Sequence, residues 1–454
     1  MSDLAILTKT PGRLESMRML RRSLQNPIDF WPPEIYQQRI VRLNFMGAAR
    51  YFITDPAMIQ TVLVDNADRL HKSDQMRRAL EPALGHGILT AEDERWRSQR
   101  RVVAPVFRPS AVNSFIPAMI AAARDTLANW QALPAGAAID VDRDMMHLTF
   151  EIILQTMLSG RGDIDVGQVE RSIADFLKST PWAVVLTVLG LPEWTPYPGK
   201  RRAMRGRGYL RGMIGNRVAE RRTSGTRHDD LLSLLLDARD PETGAGFSDT
   251  DVIDNILTFI GAGHETTALA LTWTFYLLSK HPDVEAKMLA EIETVTGSAP
   301  LEAAQVADLQ YTRQVVMESM RVYSPVSIVG REVMQDFTLD NTEIKAGNRV
   351  LIPIHAVHHH EMIWDRPDDF NPDRFAPETM KSRHRYAWLP FGAGPRICIG
   401  MQFALLEAAA ILGTLLPTMR LHAKPGYVPV PVSRVTTRPD KGMPMTLGRR
   451  RVVD

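Results

Sequence analysis

One cysteine in 454 residues, Cys398, excludes an internal disulfide framework and a cysteine-rich zinc site as the source of stability. Long apolar runs are scarce as well. Stretches such as AVVLTVLGL, at 183–191, are about half of the roughly 20 residues a membrane-spanning helix requires. The first residues hold only the short apolar run LAIL before Thr8 and Lys9, too little for the core of a signal peptide. Charge of one sign is not in excess: 54 basic against 52 acidic residues leave a formal +2, too small to imply a nucleic-acid partner. No low-complexity block, repeat or domain linker is evident. The expectation is a soluble, cytoplasmic protein without a membrane span, with an amphipathic patch on a membrane surface left open.

What the chain has is apolar material for a large core, at 44% of residues. RIVRLNFMGAARYFIT reads as two short strands around Gly47. Asp55-Pro56 reads as an N-cap followed by proline at the first helical position. Between about 92 and 320 the apolar spacing is mostly helical, broken by Pro- and Gly-containing loops. The longest segment runs from Ser248 to Lys280, opening on a capping box of Ser248 with Asp251 and ending before His281-Pro282. Short strands follow residue 325, and a last helix follows Gly400. The predicted fold is mainly α with a smaller β-rich portion. The β portion falls at about 35–55 and 325–355 plus a C-terminal segment, and the helices at about 55–325 and 400–420, within one domain over 1–454.

The lone cysteine sits in FGAGPRICIG, residues 391–400. Gly392, Gly394 and Gly400 permit backbone conformations and close approaches that a side chain would forbid. Arg396 places a fixed positive charge two residues before the sulfur, and the N-terminus of the following helix adds its own partial charge, so the thiolate is favoured over the thiol. A thiolate held in this way can ligate iron. As the axial ligand of haem it donates the electron density that favours O–O cleavage.

Phe391, Gly394, Arg396, Cys398 and Gly400 resemble the haem-binding loop F-x-x-G-x-R-x-C-x-G of the cytochrome P-450 family. ESMR, Glu318 to Arg321, is similar to the family's E-x-x-R helix motif, and a spacing of three puts both side chains on one helix face. RPDDFNPDRF, ending at Phe375, is similar to the loop that supplies a third member. The resemblance implies a buried structural triad of Glu318, Arg321 and Arg374 behind the cysteine loop. AGHETT, residues 262–267 in the longest helix, is similar to A-G-x-[DE]-T-[TS]. There the resemblance implies a helix widened over the haem, with Ala262 beside it and Gly263 leaving room for O₂. Thr266 would hydrogen-bond the oxygen and Glu265 relay protons as the catalytic pair; His264 has no catalytic role. Trp96 and Arg100, in ERWRSQR, match W-x-x-x-R and imply haem-propionate donors, with Arg331 and Arg396 as further ones and His71 as a weaker one. The three histidines at 358–360 do not form a metal site, because adjacent side chains point in different directions.

The resemblance implies Cys398 as the iron ligand, haem b as cofactor and a monooxygenase drawing two electrons from NAD(P)H. No segment is left over for a reductase, so a separate ferredoxin or flavodoxin with its reductase is expected, and the protein is expected to be a monomer. Segments at 79–89, 181–194, 325–330 and 431–435, with Phe259 and Ala262, would line an apolar pocket, so the substrate class is hydrophobic: fatty acid, terpenoid, steroid or aromatic. Arg95, Arg97, Arg101, Arg108 and Arg396 would steer an acidic electron donor. The rival readings are a peroxygenase fed by H₂O₂, a non-catalytic haem sensor or carrier, and a scaffold without haem.

Overall fold

Ser248 opens the longest helix, Asp249–Lys280, in the computed structural model. Residues 6–450 are described, apart from 27, 29, 30, 46, 47, 161, 163, 189, 193 and 434. The capping box forms as the sequence predicts. Ser248 Oγ accepts from Asp251 N at 3.2 Å and the Asp251 carboxylate accepts from Ser248 N at 3.3 Å, satisfying two otherwise orphaned donors. Its 32 residues span about 48 Å. Most side chains from Val252 to Leu278 are buried around the whole circumference, the mark of a core helix rather than of an amphipathic surface one. Thr258, Thr272 and Thr274 remain compatible with that core because each hydroxyl donates to the carbonyl four residues earlier, at 2.7–2.8 Å.

The chain divides into two compact units. One comprises Gln75–Thr312, Ile399–Tyr427 and Met443–Asp454. In it the long helix packs on the helices Val141–Leu158, Lys200–Ser224 and Met401–Leu415, the last of which also packs on Ile116–Ala132. A three-stranded antiparallel sheet of Met419–Ala423, Pro444–Arg449 and Ala138–Asp140 completes it. No helix among the described residues is long and apolar enough to cross a membrane.

The other unit comprises Met1–Asp74, Arg313–Cys398 and Val428–Gly442. Its six-stranded sheet has the order Leu7–Lys9, Ile40–Phe45, Ala48–Ile53, Arg349–Ile352, Val329–Val333, Leu70–Lys72. Both strands of the predicted hairpin are present and pair antiparallel from Ile40–Ile53 to Phe45–Ala48, while its turn at 46–47 lies outside the described residues. Asp55 caps the next helix, its Oδ1 accepting from Ala57 N and Met58 N at 3.0 Å. Inward-facing Ile53, Leu70, Val333, Val350 and Ile352 form the core under the sheet.

Three short strands and one helix depart from the sequence reading. Leu7–Lys9 and the helix Arg13–Gln25 precede the hairpin, and the strands Leu70–Lys72 and Ala138–Asp140 lie within the stretch read as helical. Each of these strands is three residues long and is held by a partner distant in the chain, such as Val333 for Leu70 and Met445 for Ile139. Local periodicity cannot register such pairing.

Candidate active site

The cysteine loop is closed by its own backbone. Gly392 and Gly394 take φ of +71° and +68°, the left-handed region open to glycine. They turn the chain so that Cys398 N donates to Phe391 O at 2.9 Å. Gly394 has a second reason to be glycine: a Cβ there would lie 2.0 Å from the Leu63 carbonyl oxygen. The loop is thus seated on the turn Thr61–Asp65 by direct backbone approach. Cys398 ends the loop with its side chain exposed, unlike an ordinary structural thiol, which is buried.

Behind the loop, Glu318 and Arg321 form a fully buried, two-pronged ion pair, with Nε to Oε2 at 2.7 Å and Nη2 to Oε1 at 2.8 Å. Arg321 also donates to the carbonyls of His358 (2.8 Å), Pro367 (2.6 Å) and Asp369 (2.8 Å), which anchors the irregular chain around 358–369. Arg374 joins less tightly than expected. Its Nε stands 3.4 Å from Glu318 Oε1 without a hydrogen bond, while its Nη2 donates to Arg366 O. Burial lowers the Arg374 pKa below the ordinary arginine value, only partly offset by Glu318.

Two routes carry this anchor to the cysteine loop. Trp388 Nε1 donates to Met317 O at 3.1 Å, and the Trp388 ring meets Phe391 edge-on at 5.8 Å. His358 accepts from Leu389 N at 2.9 Å through Nε2, while its carbonyl accepts from Arg321. Burial, helped by the Arg321 charge, holds this imidazole well below its usual pKa. It is therefore neutral and can accept at Nε2. The sequence reading dismissed His358 as a metal ligand and missed this role. The signal for it would have been the histidines placed in the largely apolar stretch IPIHAVH.

Arg331 lies on the strand Val329–Val333 of the same unit, opposite Lys72, with His71 opposite Glu332. Alternation along the strands then sends Arg331 and His71 to opposite faces of the sheet. These two candidate propionate donors do not converge there.

In the other unit, AGHETT sits in the middle of the long helix. Glu265 is buried, at 3% exposure. Ala262 is exposed and Thr266 half-buried, one turn apart on one face, so the helix is uncovered there while the turns on either side are packed. Thr266 Oγ1 donates to Ala262 O at 2.7 Å, so its lone pairs are turned outward as acceptors. Gly263 does different work from that expected: a Cβ would fall 2.8 Å from Ile153 Cδ1, so the missing side chain admits the neighbouring helix. The open face belongs to Ala262 and Thr266. His264 faces inward, its Nδ1 2.7 Å from Ile260 O and its ring edge-on to Phe150.

The segment 79–89 docks on this helix just before Ala262. Asp254 and Asn255 receive the backbone amides of His86 (2.8 Å) and Ile88 (2.9 Å), and Arg211 reaches Asp254 at 2.5 Å. Gly85 and Gly87 are required here, since a Cβ on either would fall within 2.4 Å of Asp254 or Thr258 side-chain oxygens. Sequence reasoning missed this anchor, although two polar residues inside the apolar run VIDNILTFI were its signal. Trp96 and Arg100 stand half-buried on one face of the helix Asp93–Val103.

Among the steering arginines, three ion pairs stand out. Arg95 pairs with Asp251 at 3.1 Å and Arg97 with Glu94 at 3.6 Å, while Arg101 forks onto Asp240 at 2.9 Å. The Arg101 guanidinium, with the Glu242 backbone N–H, lowers the Asp240 pKa to about 2. The expected positive patch is correspondingly weaker.

A family model described as cytochrome P-450 matches residues 34–443. The chain belongs to the cytochrome P-450 family, and so to the haem-thiolate monooxygenases, which combine haem and O₂ with a hydrophobic substrate. It is 30% identical to the cyclooctat-9-en-7-ol 5-monooxygenase of Streptomyces melanosporofaciens, with 92% of this chain and 90% of the relative covered. It is 28% identical to the pentalenene oxygenase of Streptomyces avermitilis, with 94% of each covered. The crystal structure of the cytochrome P450DA heme domain matches with a TM-score of 0.82 at 26% identity, over 97% of this chain and 94% of that one.

Proposed function

We propose that the whole chain acts as one haem b domain that hydroxylates or epoxidises a cyclic terpenoid. The observation that carries the reading is the exposed lone thiol of Cys398 on a loop fixed by backbone contacts, a donor able to serve as the axial ligand of haem iron. Haem bound there supplies the oxidising centre. Arg396, Arg331, Arg100 and the Trp96 indole are the proposed donors for its two carboxylates; His71 is the weakest of the candidates. Thr266 Oγ1 offers an acceptor and a rotatable proton at the uncovered face, and Glu265 holds the proton that replaces it. That acid–alcohol pair favours O₂ over peroxide as oxidant, because peroxide brings its own protons and electrons.

The terpenoid assignment is supported by the two Streptomyces relatives, whose printed names carry cyclooctat-9-en-7-ol and pentalenene. A screen of lipids, steroids, terpenes and aromatic acids for substrate-induced spin-state shifts tests it, with cyclic terpenes expected to shift the spectrum and a response confined to fatty acids overturning the assignment. Thr266→Ala is expected to lower product formation on the order of 10²-fold while NAD(P)H consumption continues into peroxide or water. Equal product yield from the variant would refute the role of Thr266.

The electron donor is proposed to be a ferredoxin or flavodoxin served by its own reductase, meeting a monomer in the cytoplasm. Since Arg95, Arg97 and Arg101 are each paired with a carboxylate, their attraction for an acidic donor is reduced. Electron-transfer rates measured from 50 to 500 mM salt, about a threefold change in screening length, are expected to fall only severalfold. A rate independent of salt would remove electrostatic steering altogether.

A further inference from the structure

A cavity of about 300 Å³ lies wholly within the unit that comprises Met1–Asp74, Arg313–Cys398 and Val428–Gly442. Cys398 and the candidate propionate donors do not line it. Its charged walls are two guanidiniums, Arg39 and Arg383, and one carboxylate, Asp55. The carboxylate is already satisfied. Arg39 Nε donates to Asp55 Oδ2 at 2.6 Å, and Asp55 Oδ1 accepts from Ala57 N and Met58 N at 3.0 Å. The walls therefore hold one positive charge in excess, beside an apolar side made of Pro56, Met362, Ile363 and Ala387.

Arg383 carries that excess. Its guanidinium carbon stands 4.2 Å from the centroid of the Trp364 ring and 5.4 Å from that of Phe375. Stacking of this kind fixes the plane of the fork and leaves its N–H edge for an acceptor. No hydrogen bond or ion pair engages the side chain among the described residues. The carboxylate that acts on it from a distance, Glu318, is already held by Arg321 and approached by Arg374 at 3.4 Å. Three guanidiniums thus share one buried carboxylate. Burial lowers the Arg383 pKa to about 10, with Glu318 raising it and Arg374 and Arg321 adding to the fall. The adjoining His384 accepts from Tyr386 N through Nδ1 at 3.3 Å, so its neutral ring carries the proton on Nε2 as a second donor. His360 adds none, because its Nδ1 accepts from Met362 N and its Nε2 faces Gln38 O, both at 3.2 Å.

We propose that this cavity is a binding site for a small organic oxyanion, a carboxylate or a phosphate monoester, gripped in two-pronged fashion by Arg383. Arg39, through the N–H groups that Asp55 does not take, and His384 supply further donors, and the apolar side receives the carbon skeleton. The volume is at the bottom of the roughly 300–1,000 Å³ usual for ligand cavities, so the ligand is a few carbons long rather than a nucleotide or peptide. A bound anion offsets the crowding of positive charge around Glu318. Its influence reaches the cysteine loop by contact: Phe375 meets Trp388 edge-on at 5.5 Å, and Trp388 meets Phe391 in the same way. The occupant is thus an effector that stabilises the unit carrying Cys398.

Calorimetric titration of the full-length holoprotein with inorganic phosphate and with succinate, each at constant ionic strength in chloride, tests the site. At least one of the two is expected to bind with one-to-one saturation and to raise the thermal unfolding midpoint as its concentration rises. Binding of phosphate alone, or of succinate alone, identifies the acid group that the fork takes. Arg383→Gln is expected to weaken binding about tenfold, the loss of one charge-assisted contact. His384→Ala, at an exposed position, is expected to weaken it about threefold, and decides the matter should Arg383→Gln fail to fold. Arg385→Gln, an exposed arginine that does not line the cavity, should bind as the wild type does. The proposal is overturned by an absence of saturable binding, by binding unmoved in Arg383→Gln and His384→Ala, or by an equal loss in Arg385→Gln. None of these measurements needs turnover, so they stand whether or not the monooxygenase reading does.

Discussion

Replacing Cys398 by alanine is expected to abolish monooxygenase turnover and to erase the thiolate-shifted Soret band of the reduced CO form. The chain has no second cysteine, so no other side chain can provide a sulfur donor. A water or imidazole taking its place lacks the electron donation that a thiolate supplies. The same substitution leaves the scaffold nearly untouched. The loop is closed by the backbone bond from Cys398 N to Phe391 O, which alanine retains, and the exposed thiol fills no part of the core. The stability of the haem-free fold should change by no more than about 0.5 kcal/mol. Urea unfolding of the variant therefore separates chemistry from folding. A full thiolate band in Cys398→Ala would end the assignment.

Arg321→Ala is expected to have the opposite profile, with folding lost before chemistry can be examined. The substitution strips Glu318 of both prongs of its partner while the carboxylate stays fully buried. What remains is the amide of Asn371 at 2.9 Å and Arg374 at 3.4 Å. Three backbone carbonyls, of His358, Pro367 and Asp369, lose their donor in the same step. Breaking such a pair costs about 3–5 kcal/mol, a large share of the 5–15 kcal/mol typical of a folded domain. Arg321→Lys should recover little of it, because an ammonium cannot reproduce the planar fork that serves five acceptor contacts. The double variant Glu318→Ala/Arg321→Ala should lose less than the sum of the singles, since the two residues act as one unit. An Arg321→Ala protein whose denaturation midpoint matches the wild type would refute the anchor.

The positions proposed to carry chemistry drew notice because their residue types are costly or rare: a lone cysteine among glycines, and a mid-helix acid beside an alcohol. The long helix declared itself by length and by its capping box. Less legible was what depends on neighbours far along the chain. Gly263 was read as a space for oxygen, and only the packing of Ile153 against it shows where its missing side chain points. The steering arginines looked alike in sequence, yet Arg101 is committed to Asp240, some 139 residues away. His358 and Asp254 are polar residues in largely apolar runs that sequence reasoning passed over, and which partner each one serves is a tertiary fact.

The unit that holds the cysteine loop is assembled from three stretches of chain, the last of them Val428–Gly442. In that last stretch the Ser433 hydroxyl meets Ser327, and its amide donates to Asn26 Oδ1 at 3.0 Å. During synthesis the unit that carries Cys398 therefore cannot complete these contacts until Val428–Gly442 has emerged from the ribosome. Contacts this far apart in sequence form late and slowly. The other unit, with more than two hundred consecutive residues of helix-rich chain in Gln75–Thr312, can begin to collapse much sooner. Nascent protein should consequently acquire its helical content well before it becomes competent to take up haem, and stalled or truncated chains should accumulate as helical, colourless intermediates.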